Sequence, residues 1–200
     1  MLLHGASINV YPHKDGDSWL NRDLTWGQAM TKNETLVLGI CGSVGVGKTL
    51  LIKRIQAMLS ERYSLATLSD GVFTVKDLNY VPPLNMGLAD ELDQLRLSGK
   101  INLALIERPS RYLIPVDATL YLIDASASEL QLTLSADLFL VNKIDLATYR
   151  GVDLGKLRAK IAAKQKQATI LMTDLKDNQG VQNIICWIEK TLTKLQKEAR

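Results

Sequence analysis

The chain is short of cysteine, of histidine and of long apolar runs, and each shortage excludes something. Its two cysteines, Cys41 and Cys186, stand far apart with no Cys-x-x-Cys spacing. That argues against a disulfide or a thiolate metal site and for reduced residues in the core. Its two histidines, His4 and His13, have no ligand partner at close spacing and read as solvated surface residues, the alternative being a metal site. No apolar run approaches the ~20 residues that span a membrane. Met1-Leu-Leu is followed at once by His4 and Gly5, which is no signal-peptide pattern. A soluble, cytoplasmic protein without a membrane partner is expected. No basic stretch is interleaved with aromatics and the net charge of +3 is modest, so no nucleic-acid partner is expected either.

What is present is enough for one ordinary domain: 200 residues, 46% of them apolar, can bury a sizeable core. Residues 1–33 differ in texture from the rest. Tyr11-Pro-His-Lys-Asp-Gly-Asp-Ser18 is polar and turn-rich, with Trp19 and Trp26 as its strong anchors. This segment reads as an N-terminal arm that docks by its tryptophans or stays partly mobile. Residues 34–200 read as the folded domain.

That domain is organised around Leu36-Val-Leu-Gly-Ile-Cys-Gly-Ser-Val-Gly-Val-Gly-Lys-Thr49. A short apolar run ends at Gly42, and Gly42-x-x-x-x-Gly47-Lys48-Thr49 then fits the phosphate-binding P-loop. A helical pattern follows, with Leu51, Ile55, Met58 and Leu59 on one face. Glycines let such a backbone curl round an anion, so that the N–H groups of Ser43, Val44, Gly45, Val46 and Gly47, continuing into Leu50, grip phosphate oxygens. The helix dipole adds positive charge at the same point. Lys48 reaches the β- and γ-phosphates in this pattern, and the Thr49 hydroxyl holds Mg²⁺.

Strands alternate with helices along the remaining chain. Residues 36–41, 64–69, 102–107, 118–124, 138–142 and 168–173 read as buried strands. Residues 48–62, 88–97, 155–166 and 178–198 read as amphipathic helices. Residues 74–80 are ambiguous, and 129–135 read as a short helix or loop. The expected fold is α/β: a three-layer P-loop NTPase with a mainly parallel sheet and helices on both faces. Its ligand would lie at the carboxyl ends of the strands.

Three further stretches fall at those ends. Asp70 follows the second strand and suits either the Mg²⁺ shell and water orientation or a simple Asp-Gly turn. Glu107 closes the strand Asn102-Leu-Ala-Leu-Ile-Glu107, as an acid near Mg²⁺ and the attacking water or as a charge kept for solubility. Lys48, Asp70 and Glu107 are the candidate catalytic groups, and Thr49, Asp70 and Glu107 the candidate metal ligands. Asn142-Lys143-Ile144-Asp145 then matches Asn-Lys-x-Asp, whose chemistry is guanine readout. Asp145 can accept from the base N1–H and N2–H₂, a donor pair that adenine lacks. Asn142 can bond the N7 edge or tie loops together, and the Lys143 stem can lie over the base. Asp174, Leu175 and Lys176 fall where guanine-binding folds place backbone N–H groups against the base O6. GTP or GDP with Mg²⁺ is therefore the expected ligand.

Together with the P-loop, Glu61-Arg-Tyr63, Ser69-Asp-Gly-Val-Phe-Thr-Val-Lys-Asp77, Leu105-Ile-Glu107, Tyr121-Leu-Ile-Asp124 and Val141-Asn-Lys-Ile-Asp-Leu146 resemble the urease accessory GTPases of the UreG type. The hydrogenase nickel-incorporation GTPases, of the same SIMIBI class, are a more distant likeness. The resemblance runs from about residue 36 to the C-terminus and implies GTP-dependent dimerisation, nickel carriage across the dimer and work with metalloenzyme maturation proteins.

The chain departs from that family at definite points. The Cys-Pro-His motif that supplies nickel ligands is missing, since residues 70–107 contain neither cysteine nor histidine. Those are the ligands nickel would want. The family's Glu-Ser-Gly-Gly is here Glu107-Arg-Pro-Ser110, and Pro109 cannot donate a hydrogen bond. Thr-Asn-Leu-Lys has become Thr173-Asp-Leu-Lys176. A divergent member is expected, either a slow Mg²⁺-dependent GTPase in nickel-enzyme maturation or a non-hydrolysing GTP- or GDP-loaded scaffold that regulates a partner. No arginine finger can be assigned, although Arg108 and Arg111 lie close in sequence.

Overall fold

The computed structural model describes residues 35–69, 72–75, 87–108, 114–127, 135–166 and 169–198. The expected N-terminal arm, with its histidines and tryptophans, lies outside them, as do Asp70, Pro109, Ser110 and Arg111. The described elements run β1 (Leu36–Gly42), α1 (Lys48–Leu59), β2 (Leu65–Ser69), β3 (Val72–Val75), α2 (Leu88–Leu97) and β4 (Leu103–Glu107). They continue through β5 (Ala118–Asp124), β6 (Leu138–Asn142), α3 (Ile144–Tyr149), α4 (Leu154–Lys164), β7 (Thr169–Met172) and α5 (Val181–Glu198).

The strands form one sheet in the order β3-β2-β4-β1-β5-β6-β7. Every described neighbouring pair is parallel except β2–β3. Strands such as β1, β4 and β6 are apolar with no alternation, because both faces are covered. Side-chain parity divides the core in two. Leu36, Leu38 and Ile40 of β1, with Leu103, Leu120 and Leu138, pack against Leu51 and Ile55 of α1 and Ile184 and Ile188 of α5. On the opposite face Val37, Ala104 and Ile106 meet Leu92 and Leu95 of α2. Tyr121, Phe139 and Val141 meet Ala147 of α3 and Ile161 of α4 on that face too. The three-layer α/β arrangement expected from the sequence is the one observed.

The sheet register gathers the motifs on one edge. Ile40 is opposite Glu107, Gly42 opposite Leu122, and Asp124 opposite Asn142. The carboxyl ends of β4, β1, β5 and β6 thus adjoin, with β1 in the middle, where parallel sheets hold ligands.

Four sequence expectations need correction. Residues 74–80, ambiguous from their pattern, begin with the end of an edge strand, β3, which folds back on β2 with Ser69 opposite Val72. The sequence pattern does not predict helix α3 directly after Lys143, because six residues are too few to show a period. Cys41 is buried as expected, but Cys186 is exposed. It lies on the side of α5 away from the stripe formed by Ile184, Ile185 and Ile188. Met58 is 39% exposed, so the buried face of α1 is narrower than its apolar spacing suggests.

Candidate functional site

The loop from Gly42 to Gly47 takes the backbone that its glycines permit. Gly42, Gly45 and Gly47 all have positive φ, at 135°, 76° and 111°, where residues with a Cβ are strained. A Cβ on Gly47 would also lie 2.7 Å from the Nδ2 of Asn142. The loop surface is open: Ser43, Val44 and Gly45 are exposed, and Val44 is 92% so. Val46 turns inward into the core, which anchors the loop before α1 begins.

Lys48 is buried, and its ammonium donates to the carbonyls of Gly42 at 3.0 Å and Ser43 at 2.7 Å. Burial pushes its pKa down, the Glu107 carboxylate opposes this, and Arg108 adds to the depression. A desolvated cation that hydrogen-bonds to two carbonyls, beneath a loop of exposed residues, suits an anion. Phosphate and a hard divalent cation fit the donor set of Lys48, Thr49 and Glu107. Thr49 is exposed, whereas Glu107 is buried and accepts a 2.8 Å hydrogen bond from the Ser69 hydroxyl. The next residue, Arg108, has φ 55° and donates its backbone N–H to Ile40 O at 2.9 Å. A left-handed arginine immediately beyond β4 is a strained position beside the loop.

The second half of the site is built around Asn142. Its Nδ2 donates to Val46 O at 2.8 Å. Its Oδ1 accepts from Leu175 N–H at 3.1 Å and from the Thr173 hydroxyl at 3.3 Å. One buried amide therefore joins the phosphate loop, β6 and the turn after β7. Of the two roles open to Asn142 in the sequence, the loop tie is the one its contacts describe. Lys143, at φ 62°, is in the left-handed region and turns the chain into α3. Its Nζ pairs with the Asp124 carboxylate at 2.6 Å. Burial works against the Asp124 charge. Hydrogen bonds from Lys143 and Ser126 together outweigh it and hold the carboxyl below the ordinary carboxylate range. Asp145 lies exposed in the first turn of α3.

In the turn 174–176 each backbone N–H is already engaged. Asp174 N–H donates to Gln179 O at 3.1 Å, Leu175 N–H to Asn142, and Lys176 N–H to the Asp174 carboxylate at 2.9 Å. Asp174 is thereby a buried structural acceptor. An O6-reading role for this turn needs a Leu175 or Lys176 N–H to be shared or released.

Four residues to which the sequence reading assigns no role join the site: Ser69, Asp124 and Thr173, which stand inside quoted motifs, and Arg54, which stands in none. A carboxylate at the end of β5 was a legible signal for Asp124. Nothing in the pattern of α1 marks Arg54, whose partners are far away in the chain. Among the described residues no group of three or more His, Cys, Asp or Glu side chains is gathered to hold a metal. No helix among them is long and apolar enough to cross a membrane.

No family model matches the chain. Curated proteins do. It is similar to the urease accessory protein UreG of Ureaplasma parvum, 28% identical over 195 residues that cover 78% of this chain and 95% of that protein. UreG of Micrococcus luteus is 26% identical over 192 residues, covering 78% and 95%. Among solved structures, the hydrogenase maturation factor HypB from Archaeoglobus fulgidus has a TM-score of 0.61 at 22% identity, covering 82% of this chain and 94% of that one. A LAO/AO transport system kinase reaches 0.57 at 17% identity, covering 86% and 67%. These structures share the P-loop NTPase fold with this chain. The curated relatives are of the type that the motifs resemble, and identities below 30% accord with a divergent member.

Proposed function

We propose that this chain is a guanine-nucleotide-binding P-loop protein, a slow Mg²⁺-dependent GTPase related to the nickel-enzyme maturation GTPases. The single observation that carries this reading is the union of the two motifs by Asn142, which binds the phosphate loop through Val46 and the turn after β7 through Leu175. A P-loop alone could serve many nucleotides. Joined to Asn-Lys-x-Asp, it favours guanine.

In this reading Lys48 leaves the Gly42 and Ser43 carbonyls for the β- and γ-phosphates, while Ser43 to Leu50 supply backbone N–H groups. Thr49 and Glu107, with Asp70, would hold Mg²⁺, which would neutralise phosphate charge when bound. Asp145 accepts from the base edge, and the Lys143 stem, set by Asp124, covers its face. Asp174, Leu175 and Lys176 frame O6. No covalent chemistry is asked of the protein: it positions groups and stabilises charge. UreG and HypB relatives suggest service to a metalloenzyme with partner maturation proteins, and a GTP-dependent homodimer. A second reading, a GTP- or GDP-loaded scaffold that does not turn over, is favoured by the Glu107-Arg108-Pro109-Ser110 substitution and by residues 70–107 holding no soft nickel ligand. Cytoplasmic residence is part of the proposal.

Multiple-turnover phosphate release from GTP decides between the two. The GTPase reading expects a slow Mg²⁺-dependent rate that Lys48→Ala removes, the loss of a positioned cation being worth ~10²-fold or more. A wild-type rate no faster than the Lys48→Ala background would leave only the scaffold.

A further inference from the structure

Arg54 projects from α1 to the turn after β7. Its Nε donates to Leu175 O at 3.2 Å and its Nη2 to Lys176 O at 3.0 Å. The two carbonyls belong to consecutive residues, so a planar guanidinium with a fixed fork of donors restrains both peptide groups. The peptide between Leu175 and Lys176 is thus held at both ends, its carbonyl by Arg54 and its N–H by the Asp174 carboxylate. Leu175 N–H is fixed from the other side by Asn142. Arg54 and Asn142 grip one turn from two directions, and both connect it to the phosphate-binding segment. Asn142 does so through Val46, and Arg54 through its own place on the helix that begins at Lys48.

From this geometry we infer that Arg54 is a positioning residue for base selection, holding the 174–176 turn against α1 at the place from which a Leu175 or Lys176 N–H, shared or released from its internal partner, meets the guanine carbonyl oxygen. The inference rests on the guanine-nucleotide reading of the site and goes beyond it by assigning base selectivity to an arginine of the phosphate helix. A bound nucleotide would meet a turn set by the same helix that carries Lys48 and Thr49, so phosphate and base binding are mechanically linked. Lys176 is exposed and the bond to Leu175 O is only partly buried, so water can take the place of the guanidinium with little loss of fold stability. The consequence should therefore appear in base discrimination rather than in folding.

The test is equilibrium competition of GDP and ADP on the full chain, for wild type, Arg54→Met, Arg54→Gln and Arg54→Lys, with the thermal midpoint of each nucleotide-free protein. Met keeps much of the aliphatic stem without donors, Gln is too short to span both carbonyls, and Lys keeps a single donor centre. Expected is a fall of about tenfold in the GDP-to-ADP affinity ratio for Met and Gln, through weaker GDP binding with ADP unchanged, and partial recovery in Lys. An unchanged ratio in whichever of Met or Gln folds overturns the inference, and so does a lowered midpoint with the ratio intact. Equal affinity of wild type for GDP and ADP is a different result: it removes the guanine reading itself.

Discussion

At the scale of single residues, the Asp124–Lys143 pair ties electrostatics to the proposed base pocket. Lys143 sits in a left-handed conformation that a lysine does not favour, and its 2.6 Å ion pair with Asp124 helps retain it there. Asp124 also accepts from the backbone N–H and hydroxyl of Ser126, at 2.9 and 2.6 Å. Its folded-state pKa lies below the ordinary value near 3.9. A depressed carboxylate contributes stability that is present above the unfolded pKa and is lost as pH falls through the folded one. Asp124→Asn should therefore unfold more easily than wild type near neutrality, by about 1 kcal/mol for a partly buried pair. That gap should narrow steadily below about pH 4. Urea titrations of both proteins between pH 3 and 7 measure it. A gap that stays constant with pH would mean that the charge of Asp124 contributes nothing.

At the scale of elements, α5 depends on a single glycine. Gly180 has φ 79° and precedes Val181, the first residue of the helix. A Cβ there would meet the backbone oxygen of Met172 at 2.6 Å, and backbone cannot move aside as a side chain can. Gly180→Ala should destabilise the fold by ~2–4 kcal/mol, from left-handed strain plus the displacement of β7 from the start of α5. Chemical denaturation checks this, and a loss under 1 kcal/mol would show that the turn relaxes freely.

Elements were also where the sequence was most and least legible. β1, β4 and β6 are plain because a strand buried on both faces is a nearly unbroken apolar run, and α5 is plain because its apolar stripe persists from Val181 to Leu195. β3 is not. Only four residues long and at the sheet edge, it carries no strong pattern. The Asp-Gly pair between Ser69 and Val72 is nonetheless a familiar hairpin signal. The site shows the same division. Lys48 and Asn142 announce themselves by local motifs, whereas Arg54 and Ser69 acquire their roles only when distant segments meet, and no local spacing encodes that.

At the scale of the whole molecule, the site joins elements from both ends of the described chain. In the proposed function its phosphate half comes from β1 and α1 and its base half from β6, α3 and the β7–α5 turn, with Asn142 and Arg54 crossing between those segments. A ligand filling both halves should stabilise the fold as one unit, because it binds the native chain and not the unfolded one. At a hundred times its dissociation constant GDP should add about 2.7 kcal/mol, which for a domain of this size raises the thermal midpoint by about 5–10 °C. ADP at the same concentration should add far less if it engages the phosphate half alone, and Mg²⁺ chelation should shrink the GDP effect if Thr49 and Glu107 hold the cation as proposed. Differential scanning measurements with GDP, ADP and chelator read all three. Equal shifts for GDP and ADP would mean that the base half does not act with the phosphate half, whatever the contacts that join them.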